Sequence, residues 1–292
     1  MTGWLGAFRR AEALPEGFER QVEMLHRPLA DRIAEAARAA GRCLVVGVCG
    51  TQASGKSTLC AVVAHLLAEA GLKAAVLSID DLYLTHEERA ALAGGVHPLL
   101  ATRGVPGTHD VELGLSLLDA LACPGEVRLP RFDKARDTRR PPEEWERFEG
   151  PADVVLFEGW CVGARPQGEA DLAAPVNALE RDEDPDGTWR RYANAALAGP
   201  YQALFGRIDL LVMLQAPGFE AVLAWRREQE AKLRARLSAG GGDLSRTMDE
   251  AALARFVAHY ERLTRHILDE MPARADVLAR LGPARELLSL RL

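Results

Sequence analysis

The run Gly50-Thr51-Gln52-Ala53-Ser54-Gly55-Lys56-Ser57 fits the spacing G-x-x-x-x-G-K-[ST]. Residues so spaced do phosphate chemistry. Glycines let backbone N–H groups curl around phosphates, the lysine reaches the β- and γ-phosphates, and the hydroxyl takes Mg²⁺. Gly50, Ala53, Ser54, Gly55, Lys56, Ser57 and Thr58 are the expected nucleotide contacts. Ser57 is the expected Mg²⁺ ligand, and Thr58 is a second hydroxyl better suited to packing. Carboxylates further along can complete a phosphoryl transferase. Asp80 or Asp81 can take the proton of an acceptor hydroxyl; the other can cap a turn, and Asp80 is favoured as the base. Glu158 stands where a second acidic residue holds or polarises Mg²⁺-bound water. Asp is usual at that place, and a strand-end carboxylate can instead cap a local turn. Arg226, Arg227, Lys232, Arg234 and Arg236 crowd one later segment. An arginine there can cover the γ-phosphoryl group. The same run also suits a solvated helix face, with Arg226, Glu230 and Arg234 as an ion-pair ladder.

These groups work together only if the chain gathers them. Cys43 to Cys49 is a continuous apolar run, as in a strand buried on both faces of a parallel sheet. Leu59 to Ala70 reads as a helix stopped by Gly71. Strand, loop and helix thus follow in the order the motif needs, with a helix N-terminus facing the phosphates. Further strands are expected at 74–79, 126–129, 153–157, 208–214 and 275–278. Helices are expected at 17–40, from Asp110 to Leu121, at 189–205, at 219–237 and along Leu253, Phe256, Tyr260, Leu263 and Ile267. The segments 94–108, 131–149 and 164–187 read as loops or irregular insertions, and Ser238 to Asp243 as a glycine-rich break. Apolar strands alternating with helices define an α/β class with a mostly parallel sheet flanked by helices. The expected organisation is one domain over 1–292, with an N-terminal packing helix at 17–40 and a helical lid at about 218–245. In such sheets ligands sit beyond the carboxyl ends of the strands. That places Asp80, Asp81, Arg131, Asp133 and Glu158 among the candidates.

Composition narrows the class. The chain has 292 residues, 48% hydrophobic and 27% charged, as in ordinary globular proteins. Its net charge of −6 argues against a nucleic-acid binder held by phosphate contacts. Cys43, Cys49, Cys60, Cys123 and Cys161 form no C-x-x-C pair and read as free thiols of a reducing compartment. No signal-peptide core and no apolar stretch of membrane-spanning length occurs, so a cytoplasmic protein is expected.

Gly50 to Thr58, followed by Ser78-Ile79-Asp80-Asp81-Leu82-Tyr83-Leu84, resembles the phosphoribulokinase/uridine kinase/pantothenate kinase group of P-loop kinases. In that group the second strand ends in an aspartate that acts as catalytic base, which matches Asp80. A more specific resemblance lies in Arg103-Gly104-Val105-Pro106-Gly107-Thr108-His109-Asp110, Leu129-Pro130-Arg131-Phe132-Asp133-Lys134 and Val155-Leu156-Phe157-Glu158-Gly159-Trp160. Together with Val176-Asn177-Ala178-Leu179 and Trp225-Arg226, these are similar to the plant-type D-glycerate 3-kinases and their bacterial and fungal relatives. The chain departs from the plant-type pattern at 135–144 and 164–187.

The resemblance implies a P-loop NTPase fold, with ATP and Mg²⁺ as cofactors and a small hydroxy acid as partner. It implies catalysis by Asp80, Lys56 and Arg226. It implies acceptor contacts from Asp81, Tyr83, Arg103, His109, Arg131, Asp133 and Lys134. Cations suit a carboxylate acceptor, but Arg103 and Lys134 can equally be surface charges and His109 a turn residue. Uridine, pantothenate or a sugar phosphate remain as alternative acceptors. A partner-stimulated ATPase switch is a further alternative. Guanine is not indicated, because Phe132 rather than Asn precedes Asp133-Lys134, and no N-K-x-D string occurs.

Overall fold

A computed structural model describes residues 2–134, 136–239 and 247–292. The strands among these residues are β1 (Leu44–Gly50), β2 (Ala74–Ser78), β3 (Gly125–Leu129), β4 (Phe132–Asp133), β5 (Thr138–Arg139), β6 (Glu146–Gly150), β7 (Val154–Gly159), β8 (Leu210–Gln215), β9 (Val277–Leu281) and β10 (Leu287–Arg291). The helices are α1 (Thr2–Ala11), α2 (Phe18–Gln21), α3 (Arg27–Ala40), α4 (Lys56–Glu69), α5 (His86–Gly95), α6 (Val111–Leu121), α7 (Ala178–Glu183), α8 (Thr188–Ala198), α9 (Pro200–Phe205), α10 (Phe219–Ala239) and α11 (Glu250–Glu270).

The central sheet runs β10-β9-β8-β1-β7-β2. All its neighbours pair in parallel except β10, which returns antiparallel to β9. β1 lies where the strand order reverses, with β7 on one side and β8 on the other. The crevice at the carboxyl ends of such strands is where open α/β sheets hold ligands. All residues of β1 and β7 are buried. Alternation along β1 feeds two cores. Val45 and Cys49 join Leu77, Phe157 and residues of α6, α9 and α11 on one face. Leu44, Val46 and Val48 join residues of α3 and α4 on the other. Continuous apolar sequence is what a doubly covered strand requires.

Several elements differ from expectation. The segment expected as the third strand, β3, pairs antiparallel with β6 outside the central sheet. Its neighbour, the β4–β5 hairpin, also stands apart from the main sheet. The charges of Glu146, Arg147 and Glu149 hid β6, of which only the last residue is buried. The 189–205 helix is two helices, α8 and α9, divided at Gly199-Pro200; Pro200 has no N–H to carry the helix ladder across the joint. The 17–40 helix contains a π turn at Val22–His26, just before Pro28. A widened turn relieves the clash between a proline ring and the carbonyl four residues back. Helices α1 and α5 and strand β10 add to the expected set. Residues 240–243 of the expected glycine-rich break, and the 240–245 end of the expected lid, lie outside the described residues. All five cysteines are free thiols. No described helix is long and apolar enough to cross a membrane.

Two histidines are packed as neutral groups. Burial pushes His26 down to about 4, against a weaker opposing bond to Gln21. Burial pushes His109 down to about 3, against the Asp80 charge. Both titrate near 6.5 when exposed. The unfolded chain therefore binds more protons than the folded one from pH 6.5 down to about 4, so stability is lost as the pH drops through that window. We expect each imidazole to cost about 2 kcal/mol at pH 5 relative to pH 7. Melting temperatures across pH 7 to 5 check this. The slope should flatten in His26→Gln, and an equal slope in the variant would contradict it.

Candidate active site

The phosphate loop leaves the buried end of β1 and enters α4. Gly55 caps that helix at φ +97°, a conformation other residues adopt only with strain. Gly50 is required for space: a Cβ there would lie 2.8 Å from Ser54 Oγ and 3.0 Å from Leu214 Cβ. Lys56 Nζ donates to the Thr51 carbonyl at 3.0 Å, folding back over its own loop. Thr51 Oγ1, Ser54 Oγ and both Gln52 amide atoms are buried without a hydrogen-bond partner. Buried polar atoms normally find partners, so this loop is built for a polar ligand.

Ser57 Oγ donates to Glu158 Oε1 at 2.9 Å. Glu158 is 6% exposed and lies within β7, in register with Val48 of β1 and Ser78 of β2. A carboxylate and a hydroxyl at the start of the loop helix are oxygen donors of the kind Mg²⁺ takes beside phosphates. Among the described residues no three His, Cys, Asp or Glu converge as a metal cage. Mg²⁺ commonly takes one or two protein oxygens and completes its shell with waters and phosphate oxygens.

Asp80 follows β2 in a single turn, Ile79–Leu82, whose start is capped by Ser78 Oγ. Its Oδ2 lies 2.8 Å from Lys134 Nζ, and its Oδ1 accepts from Tyr83 Oη at 2.9 Å. Burial pushes this carboxyl up, but Lys134, Lys56 and the Tyr83 hydroxyl outweigh it and hold it well below the usual carboxylate range. Asp80 raises Lys134 in return. Arg103 is held from behind: Tyr260 Oη donates to its carbonyl and Trp160 Nε1 to that of Gly104, both at 3.0 Å. Its guanidinium lies over the Phe132 ring.

A cavity of about 1140 Å³ joins these parts. Ala53, Ser54, Gly55, Lys56, Ser57, Thr58, Asp80, Tyr83, Arg103, Lys134, Glu158 and Arg226 all line it. Gly50 lies behind the loop, where its missing side chain makes room. Four expected acceptor contacts lie elsewhere. Asp81 turns to the hairpin, accepting from Phe132 N at 2.9 Å and from Arg131 at 3.2 Å. Arg131 is spent on Asp81 and Glu146. Asp133 accepts from Arg136 N within its own turn. His109 is 5% exposed, stacked against Tyr83 and bonded to Tyr201 Oη. A neutral buried imidazole brings no charge to an anion; it props the Tyr83 ring.

Of the arginines expected on the lid, α10 aims only some at the cavity. Arg226 and Lys232 line it. Arg226 lies over the Phe256 ring, and its Nε is buried without a partner. Arg227 pairs with Glu250, and Arg234 donates to the Met248 carbonyl. Glu230 accepts from Met248 N at 2.7 Å. Nothing of the Arg236 side chain is described. Unanticipated lining comes from Gln52, Trp160, Tyr260, residues within the segment 12–26 and Arg285. Arg285 donates to the Ala53 carbonyl at 2.8 Å and pairs with Glu228 of α10. Trp160 follows the β7 motif and was within reach of sequence reasoning; Arg285 sits in a turn without pattern.

This strand order around a phosphate loop is the α/β architecture of P-loop nucleotide-binding proteins. Comparison with known proteins narrows it. The uncharacterized kinase mug58 of Schizosaccharomyces pombe is 34% identical over 229 residues, which is 75% of this chain and 79% of that protein. The chloroplastic D-glycerate 3-kinase of Arabidopsis thaliana is 32% identical over 210 residues, 68% of this chain but 44% of the plant protein. The solved D-glycerate 3-kinase from Cryptococcus neoformans superposes with a TM-score of 0.73 at 25% identity, covering 91% of this chain and 98% of that one. A family model described as methylmalonyl Co-A mutase-associated GTPase MeaB matches residues 14–85. That stretch covers the helix before β1, the phosphate loop and β2, and ends before Arg103. The chain belongs to the P-loop kinase family that includes mug58 and the D-glycerate 3-kinases.

The Asp80 charge balance is testable. Removing Lys134 takes away its largest opposing cation and leaves burial in force. In Lys134→Ala, carboxyl ¹³C NMR titration should show the Asp80 pKa rising. An unchanged value would mean that Lys56 and Tyr83 suffice.

Proposed function

We propose that this chain is an ATP-dependent kinase that transfers the γ-phosphoryl group to a hydroxyl of a small hydroxy acid, with D-glycerate to 3-phosphoglycerate as the expected reaction. One observation carries the reading. The cavity that holds Lys56 and Ser57 of the phosphate loop also holds a strand-end carboxylate, Asp80, beside two cations, Arg103 and Lys134. A nucleotide switch needs only the first pair. An anionic acceptor with a hydroxyl uses the rest. The names of the plant and fungal D-glycerate 3-kinases support the same acceptor.

In this reading Lys56 and the loop amides hold the β- and γ-phosphates, and Arg226 approaches from α10. Ser57 and Glu158 would hold Mg²⁺, which offsets phosphate charge when bound. Arg103 and Lys134 take the acceptor carboxylate by charge-assisted bonds. The acceptor hydroxyl oxygen forms the new bond to the γ-phosphorus as the bridging P–O bond breaks. ADP leaves with that electron pair, and Asp80 takes the hydroxyl proton. Drawing Lys134 towards a substrate carboxylate loosens its hold on Asp80 and raises the proton affinity of the base. Acceptor binding and base strength are thereby coupled.

The match over residues 14–85 favours a second reading, a partner-stimulated nucleoside triphosphatase. An acceptor panel separates the two. Purified protein with Mg·ATP should release ADP only with D-glycerate or a close hydroxy acid, against uridine, pantothenate and sugar phosphates. Acceptor-independent hydrolysis raised by a protein partner would favour the switch. Lys56→Ala should lose turnover. Asp80→Asn should keep ATP binding and lose transfer by ~10²-fold or more. Arg226→Ala should lower kcat more than it raises either KM.

A further inference from the structure

Arg89 is a buried cation that the proposed chemistry does not use. It is 1% exposed on α5. Its Nε donates to the Leu84 carbonyl at 3.2 Å, and its Nη1 to the Ala101 carbonyl at 2.9 Å. Its Nη2 donates to both the carbonyl and Oδ2 of Asp137, at 2.8 and 2.7 Å. Asp137 occupies the turn of the β4–β5 hairpin at φ +55°, a strained conformation for a residue with a side chain. Its other oxygen, Oδ1, accepts from Arg103. A buried charge and a strained turn both cost stability, so they persist where surrounding structure fixes them. What they fix is the acceptor end of the cavity: Arg103 directly, and Lys134 through the hairpin that carries it.

We propose that Arg89 and Asp137 are positioning residues for acceptor recognition. Arg89 anchors the hairpin turn through Asp137. Asp137 then orients the Arg103 guanidinium and sets where Lys134 meets Asp80. Neither residue lines the cavity, so their effect passes through Arg103 and Lys134. The functional half of this inference rests on the kinase reading above.

Asp137→Asn keeps the shape and removes the charge, and Arg89→Lys keeps the charge and removes the fork. Both are milder than truncation. Each should raise the acceptor KM by about tenfold or more while the ATP KM stays within about twofold. Asp137→Asn combined with Arg103→Ala should lose less than the sum of the two single losses, because the two share one interaction. Equal rises in both KM values, or additive losses, would overturn the proposal in favour of a general structural role. Amide exchange supplies a readout independent of the acceptor. Thr138 and Arg139 should exchange faster in Asp137→Asn, with β1 and β7 unchanged. Unchanged exchange at the hairpin sinks the positioning role. A wild-type protein inert towards every acceptor, with faster hairpin exchange in the variant, sinks the kinase reading and leaves the anchor standing.

Discussion

The ion pair of Asp80 and Lys134, 2.8 Å apart, is the constraint on which the site turns. Asp80 is delivered by the central sheet, one turn beyond β2. Lys134 is delivered by a hairpin outside that sheet. Burial alone would drive the carboxyl towards its neutral form, and Lys134, Lys56 and the Tyr83 hydroxyl together keep it ionised. So the hairpin must be held to the sheet within hydrogen-bond reach. Asp81 grips it through Phe132 N, Arg139 reaches Asp110, and Asp137 meets Arg89 and Arg103. Adjacent aspartates thereby divide the labour. Asp80 faces the cavity, and Asp81 ties down the element that charges it.

The donor half of the site rests on different physics. There the backbone does most of the work. β1 must be apolar on both faces because both are covered, and the loop must follow it without side chains at Gly50. The Ser57–Glu158 bond then links the first turn of α4 to β7. Arg285 extends the link outward, from the Ala53 carbonyl to Glu228 on α10. Helix α10 is thus linked to the phosphate loop through a β9–β10 turn residue.

Much of this was legible in the sequence, for a definite reason. The parallel strands write themselves as uninterrupted apolar runs, and the phosphate loop has fixed spacing. Asp80 and Glu158 could be placed because strand ends point to the crevice. The acceptor side was less legible. Arg131, Asp133 and His109 have suitable chemistry and lie close in sequence to the site, yet they are turned away. Sequence position says which loop a side chain belongs to; it does not say which partner claims it. Asp81 claims Arg131, and Tyr201 with Tyr83 encloses His109. Tyr260 and Arg285 were missed for the converse reason. Their places at the cavity come from tertiary approach across the fold, which no local pattern announces.

The distribution of charge explains why the acceptor end tolerates so many ions. Each cation there already has an anion: Lys134 has Asp80, and Arg103 has Asp137. Left unpaired in a cavity, like charges would repel and splay the hairpin from the sheet. Paired, they hold the site together before any ligand arrives. In the proposed reaction an incoming carboxylate would meet oriented cations, and its binding need not order them anew. The exposure of the two cations differs. Arg103 is 17% exposed and fixed at both its carbonyl and its guanidinium, whereas Lys134 is 62% exposed and held at its tip alone. Arg103 is thus the more rigidly held of the two cations and Lys134 the one with more freedom to shift. In the proposed reaction, where one cation must also release its hold on the base, that asymmetry assigns the moving part to Lys134.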